Sequence, residues 1–279
     1  MNELLYNEDI KNEGVFILAL EFKAETVQLD IKERVATIEL NRPDSLNSLN
    51  VQVLKEFSQV LQKVKEIDSV DILVISGNGK AFCAGGDIRM MLEASTIEEF
   101  ELVMDYISSM MITLYTMPKI VIGALHGAAA GLGLSLALAC DYIIAHKETK
   151  IAMNFIGIGL MPDGGSHYLM EKRLGEDHAK QLIFNGTMML ASEALSLGLV
   201  NEVVEDLEQR VKEYVMGLHH RPIRAMIGTK EIFIRKNKQD FIQVLEWEKE
   251  LQTKMRQTKD HQEGIEAFIA KRRPNFEGK

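Results

Sequence analysis

Strands that alternate with helices over the first two thirds of the chain predict an α/β protein with a mostly parallel sheet. Two further observations shape that reading. Val70–Ser76 is a compact β-branched run closed by Gly77 and Gly79, as expected of a buried strand entering a turn. From Leu207 to Arg272 nearly every residue is a helix former, which predicts a helical C-terminal region.

The elements follow in order. Met1–Ala24 has mixed charge and only a short apolar run, Val15–Leu20, and is expected to be a loosely attached extension. Thr26–Leu40 predicts a hairpin, with Val27–Leu29 and Val35–Leu40 alternating about a turn at Lys32–Arg34, and Pro43 ends the second strand. Leu49–Ile67 carries Val53, Leu54, Phe57, Val60, Leu61 and Val64 at helical spacing. After strand Val70–Ser76 come a short helix at Ile88–Leu92, a longer one at Thr96–Met117, and strand Ile120–Leu125. A Gly/Ala-rich helix and strand Tyr142–Ala145 complete the pattern. The C-terminal helices carry an apolar stripe, Phe241, Val244, Leu245, Trp247 and Leu251, suited to packing on the core or on a neighbouring subunit. The expected division is an extension at 1–24, a core at 25–204 and a helical region at 205–279.

Composition narrows the function. The 279 residues include 32 Lys+Arg against 41 Asp+Glu, a formal charge of −9, with 46% hydrophobic and 26% charged residues. These are globular values, and they exclude a disordered chain, a collagen and a disulfide scaffold. A net acidic surface repels phosphate backbones, so nucleic acid is not an expected partner. The two cysteines, Cys83 and Cys140, form no Cys-x-x-Cys pair and supply neither a disulfide framework nor a metal ligand set. The glycines, His126 and Asp141 interrupt the apolar stretch Lys119–Ala145, which therefore reads as core and not as a membrane span. The first residues lack a basic region of signal-peptide type, and a cytoplasmic location is expected.

Three segments hold candidate chemistry. Ala84-Gly85-Gly86-Asp87-Ile88 follows strand Val70–Ser76. Paired glycines let backbone N–H groups approach a ligand, and Asp87 is placed to cap the short helix. His126–Ala137 follows strand Ile120–Leu125 and opens a helix whose first N–H groups lack partners. Each segment also reads as a tightly packed turn or helix. A dinucleotide fingerprint fails, because Leu136 occupies the third glycine position and no acid follows near Lys150. A nucleophile elbow at Gly133-x-Ser135 would need its serine at the turn, whereas Ser135 falls inside the helix. An oxyanion hole with one donor from each segment explains both. The third segment, Ile158–His167, places Asp163 between Pro162 and two glycines after an apolar run. A desolvated Asp163 would have a raised pKa and could shuttle a proton. The same aspartate also reads as a turn residue capping a helix near Ser166.

Together these segments resemble the crotonase, or enoyl-CoA hydratase/isomerase, superfamily. The matching runs are Asn41–Pro43 with Leu46–Leu49, Phe82–Asp87, Gly131–Gly133 through Ala139–Asp141, Gly157–Gly165, Ala194–Val200 and Phe268–Phe276. The resemblance extends from about Thr26 to the end. It implies a ββα spiral core, trimers or dimers of trimers, and acyl-CoA thioester substrates, with coenzyme A part of the substrate and no separate cofactor. It also implies that backbone N–H groups of Gly86 and Leu132 stabilise a thioester enolate. CoA and substrate contacts fall on Arg42, Leu46, Ala84, Gly85, Asp87, Ile88, Ser135 and Phe155. Phe268 and Lys271, with Arg272 and Arg273, would reach CoA phosphates, often those of a neighbouring subunit.

The departures from the family pattern carry the functional expectation. The two glutamates of the family's hydratases would fall on Ser135 and Phe155, neither of them acidic. Asp163 matches the single acid of the enoyl-CoA isomerases, and the Pro-Asp-Gly run is similar to that of the ring-epoxide phenylacetyl-CoA isomerase branch. One carboxylate suffices for a 1,3-proton shift, so isomerisation is the expected reaction. Phe155, Ile156, Ile158 and Met161 are expected to keep the pocket dry. The alternatives are hydration by Asp163 with a water held on Ser135, and a binding-only paralogue.

Overall fold

The computed structural model describes residues 5–6, 20–89 and 96–279. The extension's Val15–Phe16-Ile17-Leu18-Ala19 and most of the expected helix Ile88–Leu92 lie outside them. Strands β1 (Leu5–Tyr6), β2 (Leu20–Lys23), β3 (Val27–Lys32), β4 (Val35–Leu40), β5 (Ile72–Gly77), β6 (Ile120–Leu125), β8 (Tyr142–His146) and β11 (Glu202–Val204) form one sheet. Its order is β1-β2-β3-β4-β5-β6-β8-β11. A smaller sheet joins β7 (Ala128–Ala130), β9 (Lys150–Ala152) and β10 (Met188–Leu190) in the order β10-β9-β7.

The expected hairpin is β3–β4, in register from Val27↔Leu40 to Lys32↔Val35, with Glu33 left-handed at its turn. The sheet begins earlier than the hairpin, because β2 pairs antiparallel with β3. From β4 onward the neighbours β5, β6, β8 and β11 all run parallel. The chain repeatedly places one strand in the large sheet, the next in the small sheet, and then a helix. Thus β6 and β7 lead into α3 (Leu132–Leu138), and Cys83 bridges to Ala129 in the turn after β5.

The central strands are covered on both faces, which is why their sequences are continuous apolar runs. One face meets α1 (Val51–Glu66) and α2 (Ile97–Tyr115). All six residues expected on the α1 stripe are buried, each worth about 1.5–3 kcal/mol before conformational entropy is counted. Asn50 starts that helix by accepting the Val53 N–H, and Thr96 with Glu99 forms a reciprocal capping box at α2. The other face, with Ile72, Val74, Ile120, Ile122 and Ile144, packs on Leu218 and Ile223. Those two residues belong to α7 (Leu207–His219) and α8 (Ile223–Arg256).

Helices α4 (Ser166–Leu174), α5 (Glu176–Asn185) and α6 (Ala191–Leu197) follow β9, and α9 (Lys259–Ile269) ends the chain. At 34 residues α8 is the longest, about 50 Å at 1.5 Å per residue. Its buried face differs from the expected stripe. Phe241 and Leu245 are buried, but Trp247 and Leu251 are 55% and 42% exposed, and the inward face continues through Glu248 and Gln252. No helix among the described residues is long and apolar enough to cross a membrane.

Candidate active site

Hydrogen bonds between loops bring the two glycine-rich segments together. After β5 the chain lays Cys83 beside β7, with Cys83 N–H donating to Ala128 O (2.9 Å) and Ala130 N–H to Cys83 O (3.0 Å). The next residues bridge to the loop before α1: Leu49 N–H donates to Gly85 O (2.8 Å) and Asp87 N–H to Leu49 O (3.0 Å). Between these bonds the Gly86 N–H has no acceptor among the described residues. Leu132 is the first residue of α3, and its N–H is likewise unpartnered there, as the first turn of a helix requires.

Close contact fixes how the two loops sit. Gly85 has φ +105°, and a Cβ there would lie 2.8 Å from Ala130 O and 3.6 Å from the Leu132 nitrogen. A Cβ on Gly133 would fall 2.4 Å from Cys83 O, so α3 can approach this turn only without a side chain at that position.

Arg42, Leu46, Ala84 and Asp87 are gathered around the same junction. Arg42 Nη1 donates to Ser48 O (2.6 Å) and to Asp87 Oδ2 (3.0 Å). Asp87 Oδ1 accepts the Arg89 N–H, the expected capping contact. Left-handed Leu46 accepts the Ala84 N–H (3.0 Å), and Ile88 is half-buried beside them. Arg42 therefore fastens one loop to the other, its guanidinium already paired.

Gly86, Leu132 and Asp163 line one pocket. Its remaining wall is apolar except for Gln252: Leu49, Leu54, Phe155 and Leu160, with Phe100, Val103, Met104 and Ile107 from α2. Asp163 is the only titratable group among the described lining residues. Its side chain does not cap α4, whose cap position is Gly165. Instead Oδ1 is buried without a partner, and Oδ2 has only Gln252 Nε2 at 3.4 Å. Burial, reinforced by the negative Glu248 nearby, pushes its carboxyl up to about 8.

Several expected residues sit elsewhere. Ser135 is fully buried behind the Asp163 turn, where its hydroxyl donates to Asp163 O (2.9 Å) and lies 2.5 Å from Ser166 Oγ. It holds the turn in place and does not face the pocket. Phe155 lines the pocket, but Ile156 and Met161 line a separate groove with Met255 and Phe276. Helix α2 contributes more of the apolar wall than any other element, through Phe100, Val103, Met104 and Ile107. Phe268 and Lys271 are exposed and absent from the pocket lining of their own chain, and Arg272 is paired with Glu263 (2.5 and 2.8 Å).

Sequence reasoning missed Glu248 and Gln252 of α8. Glu248 is buried and accepts the N–H groups of Gly165 (2.6 Å) and His167 (3.2 Å), while His167 Nδ1 lies 2.7 Å from its Oε1. Gln252 accepts the Met161 N–H (3.2 Å) and donates to Met161 O (2.7 Å). The signal was present in the spacing: 241, 245, 248 and 252 share one helical face.

One apolar pocket thus gathers a single buried carboxyl and two main-chain N–H groups without acceptors among the described residues. Residues 30–279 match the enoyl-CoA hydratase/isomerase family, and the chain belongs to it. A Bacillus subtilis protein, YhaR, which carries a provisional enoyl-CoA hydratase/isomerase name, is 46% identical, with 91% of this chain and 99% of that one covered. The trans-2-decenoyl-[acyl-carrier-protein] isomerase of Streptococcus mutans is 31% identical, covering 93% of this chain and 100% of its own. Further relatives carry isomerase and hydratase names. The crystal structure of an enoyl-CoA hydratase from Mycobacterium avium subsp. paratuberculosis K-10 superposes with a TM-score of 0.83 at 29% identity, covering 91% of this chain and all of that one.

Proposed function

We propose that this family member shifts the double bond of an enoyl-CoA, with Asp163 as its single acid–base group. The observation that carries the reading is that Asp163 is the only titratable side chain among the described residues lining the pocket. The thioester oxygen of a 3-enoyl substrate accepts hydrogen bonds from Gly86 and Leu132. The Asp163 carboxylate removes a C2 proton, and the C–H electrons pass into the carbonyl as an enolate. As the enolate collapses, C2=C3 forms, the former C3=C4 pair takes a proton at C4, and Asp163 regains its charge. No atom is gained or lost.

The chemistry fits the environment. In other enzymes each main-chain or side-chain donor of this kind contributes about 2.7–4 kcal/mol to the transition state. A carboxyl with a pKa of about 8 is poised between its acid and base forms near neutrality, as a group that takes and returns one proton should be. Phe155 stands where a hydratase of the family would carry a second acid, and its ring supplies no base to activate water. Coenzyme A enters with the substrate, and the reaction calls on no further cofactor. In the proposed trimer, or dimer of trimers, the tail Phe268–Arg273 serves a neighbouring subunit's CoA.

The test is conversion of a 3-enoyl-CoA to its conjugated 2-enoyl isomer, followed by absorbance and product mass. The expected result is conjugation at constant mass. A product heavier by one water would replace the proposal with hydration. Asp163→Asn is expected to lose activity by about 100- to 10,000-fold, the usual range for a general acid–base, while acyl-CoA binding is retained.

A further inference from the structure

The proton-shuttle reading of Asp163 leaves open which of its oxygens does the work, and α8 supplies an answer. Gln252 is held by both ends of its amide. Its Oε1 accepts the Met161 N–H and its Nε2 donates to Met161 O, so the amide cannot flip without opposing like groups. The same NH2 then faces Asp163 Oδ2 at 3.4 Å, while Oδ1 has no partner. One turn earlier Glu248 holds the other end of the Asp163 turn through the N–H groups of Gly165 and His167.

We propose that Gln252 and Glu248 are positioning residues that divide the labour of the Asp163 carboxyl, assigning Oδ1 to the migrating proton and reserving Oδ2 as a fixed acceptor. The inference rests on the proton-shuttle reading above. A donor pointed at Oδ2 opposes a proton on that oxygen, so the acid form carries its hydrogen on Oδ1. The amide also stabilises the carboxylate, whereas the Glu248 charge destabilises it. The two residues therefore act on the proton affinity of Asp163 in opposite directions.

The groups that surround this carboxyl make the opposition readable. From α8 come Glu248 and Gln252, with Arg256 one turn on, its guanidinium 4.8 Å from the Phe100 ring centroid. From α4 comes His167, paired to Glu248. From α3 come Leu132 and Ser135, and from α2 Met104 and Ile107, all uncharged.

The experiment is the pH dependence of kcat and of kcat/KM for 3-enoyl-CoA isomerisation in the wild type, Gln252→Met and Glu248→Gln. Activity requires the Asp163 carboxylate at the start of the cycle, so it falls on the acid side as that group becomes protonated. Gln252→Met removes a stabilising donor and is expected to move that limb to higher pH by about one unit, the size of an ordinary hydrogen bond to a charge. Its kcat at neutral pH should fall about tenfold with KM little changed. Glu248→Gln removes a negative neighbour and should move the limb to lower pH.

Opposite shifts support the assignment, since mere loosening of the fold would lower kcat without moving the two limbs apart. Unshifted limbs, or limbs that move the same way, overturn it. Either variant, if only one folds, still tests the direction of its own shift. Asp163→Asn separates the failures: full activity in that variant sinks the proton-shuttle reading, whereas a dead Asp163→Asn with unshifted Gln252→Met and Glu248→Gln limbs sinks only the division of labour.

Discussion

A buried carboxyl with a raised pKa leaves a thermodynamic trace that needs no substrate. Asp163 moves from an ordinary 3.8 to about 8 on folding. Because the folded value is the higher one, its contribution to stability is fully present below pH 4 and is lost as pH rises through 8. Linkage over these two values gives a loss of about 3 kcal/mol between pH 5 and 7, and about 1 kcal/mol more by pH 9. Against a total stability of about 5–15 kcal/mol, that change is large. Asp163→Asn keeps the shape and removes the titration. Urea unfolding of both proteins at pH 5, 7 and 9, at one protein concentration, isolates this group from every other that titrates. The stability of Asp163→Asn minus that of the wild type should rise by about 4 kcal/mol across the range. A difference that stays flat within 1 kcal/mol would refute the buried, proton-hungry carboxyl and with it the argument from desolvation.

Two further substitutions test the scaffold. Gly133→Ala places a methyl 2.4 Å from Cys83 O, so it should destabilise the protein by about 1–3 kcal/mol and lower kcat, as α3 moves away with its Leu132 donor. Unchanged Tm and turnover would show that the close approach is not needed. Thr96→Ala removes the capping box of α2 and should cost about 1 kcal/mol in thermal unfolding without altering the pH profile of activity.

Most of the fold was legible because burial leaves periodic marks. The α1 stripe and the continuous runs of β5 and β6 needed no long-range knowledge. The two donor loops were also readable, since glycine pairs after strands announce backbone that must approach something closely. Asp163 was legible as a candidate, but not as a winner, because a capping aspartate and a buried acid look alike until the cover is known. Glu248 and Gln252 were hidden by their own polarity. Read as surface residues, they belong to a helix more than eighty positions downstream, and only folding sets them against the Asp163 turn. Trp247 and Leu251 misled for the converse reason: a large apolar residue claims the core in a pattern search, while the inward face went to polar groups with backbone partners waiting. Ser135 was expected as a ligand contact only through the family resemblance, and its hydroxyl instead donates to the carbonyl of Asp163.

The two donors belong to the peptide chain itself and not to side chains. A substitution at Gly86 or Leu132 can displace such a donor but cannot delete it, whereas a single codon change removes the Asp163 carboxyl. In the proposed mechanism the scaffold thus separates a durable half, which makes an α-proton acidic, from an exchangeable half, which decides where that proton goes. On that mechanism, a change of chemistry on this frame calls for a changed side chain on the pocket wall and leaves the main-chain donors where they are.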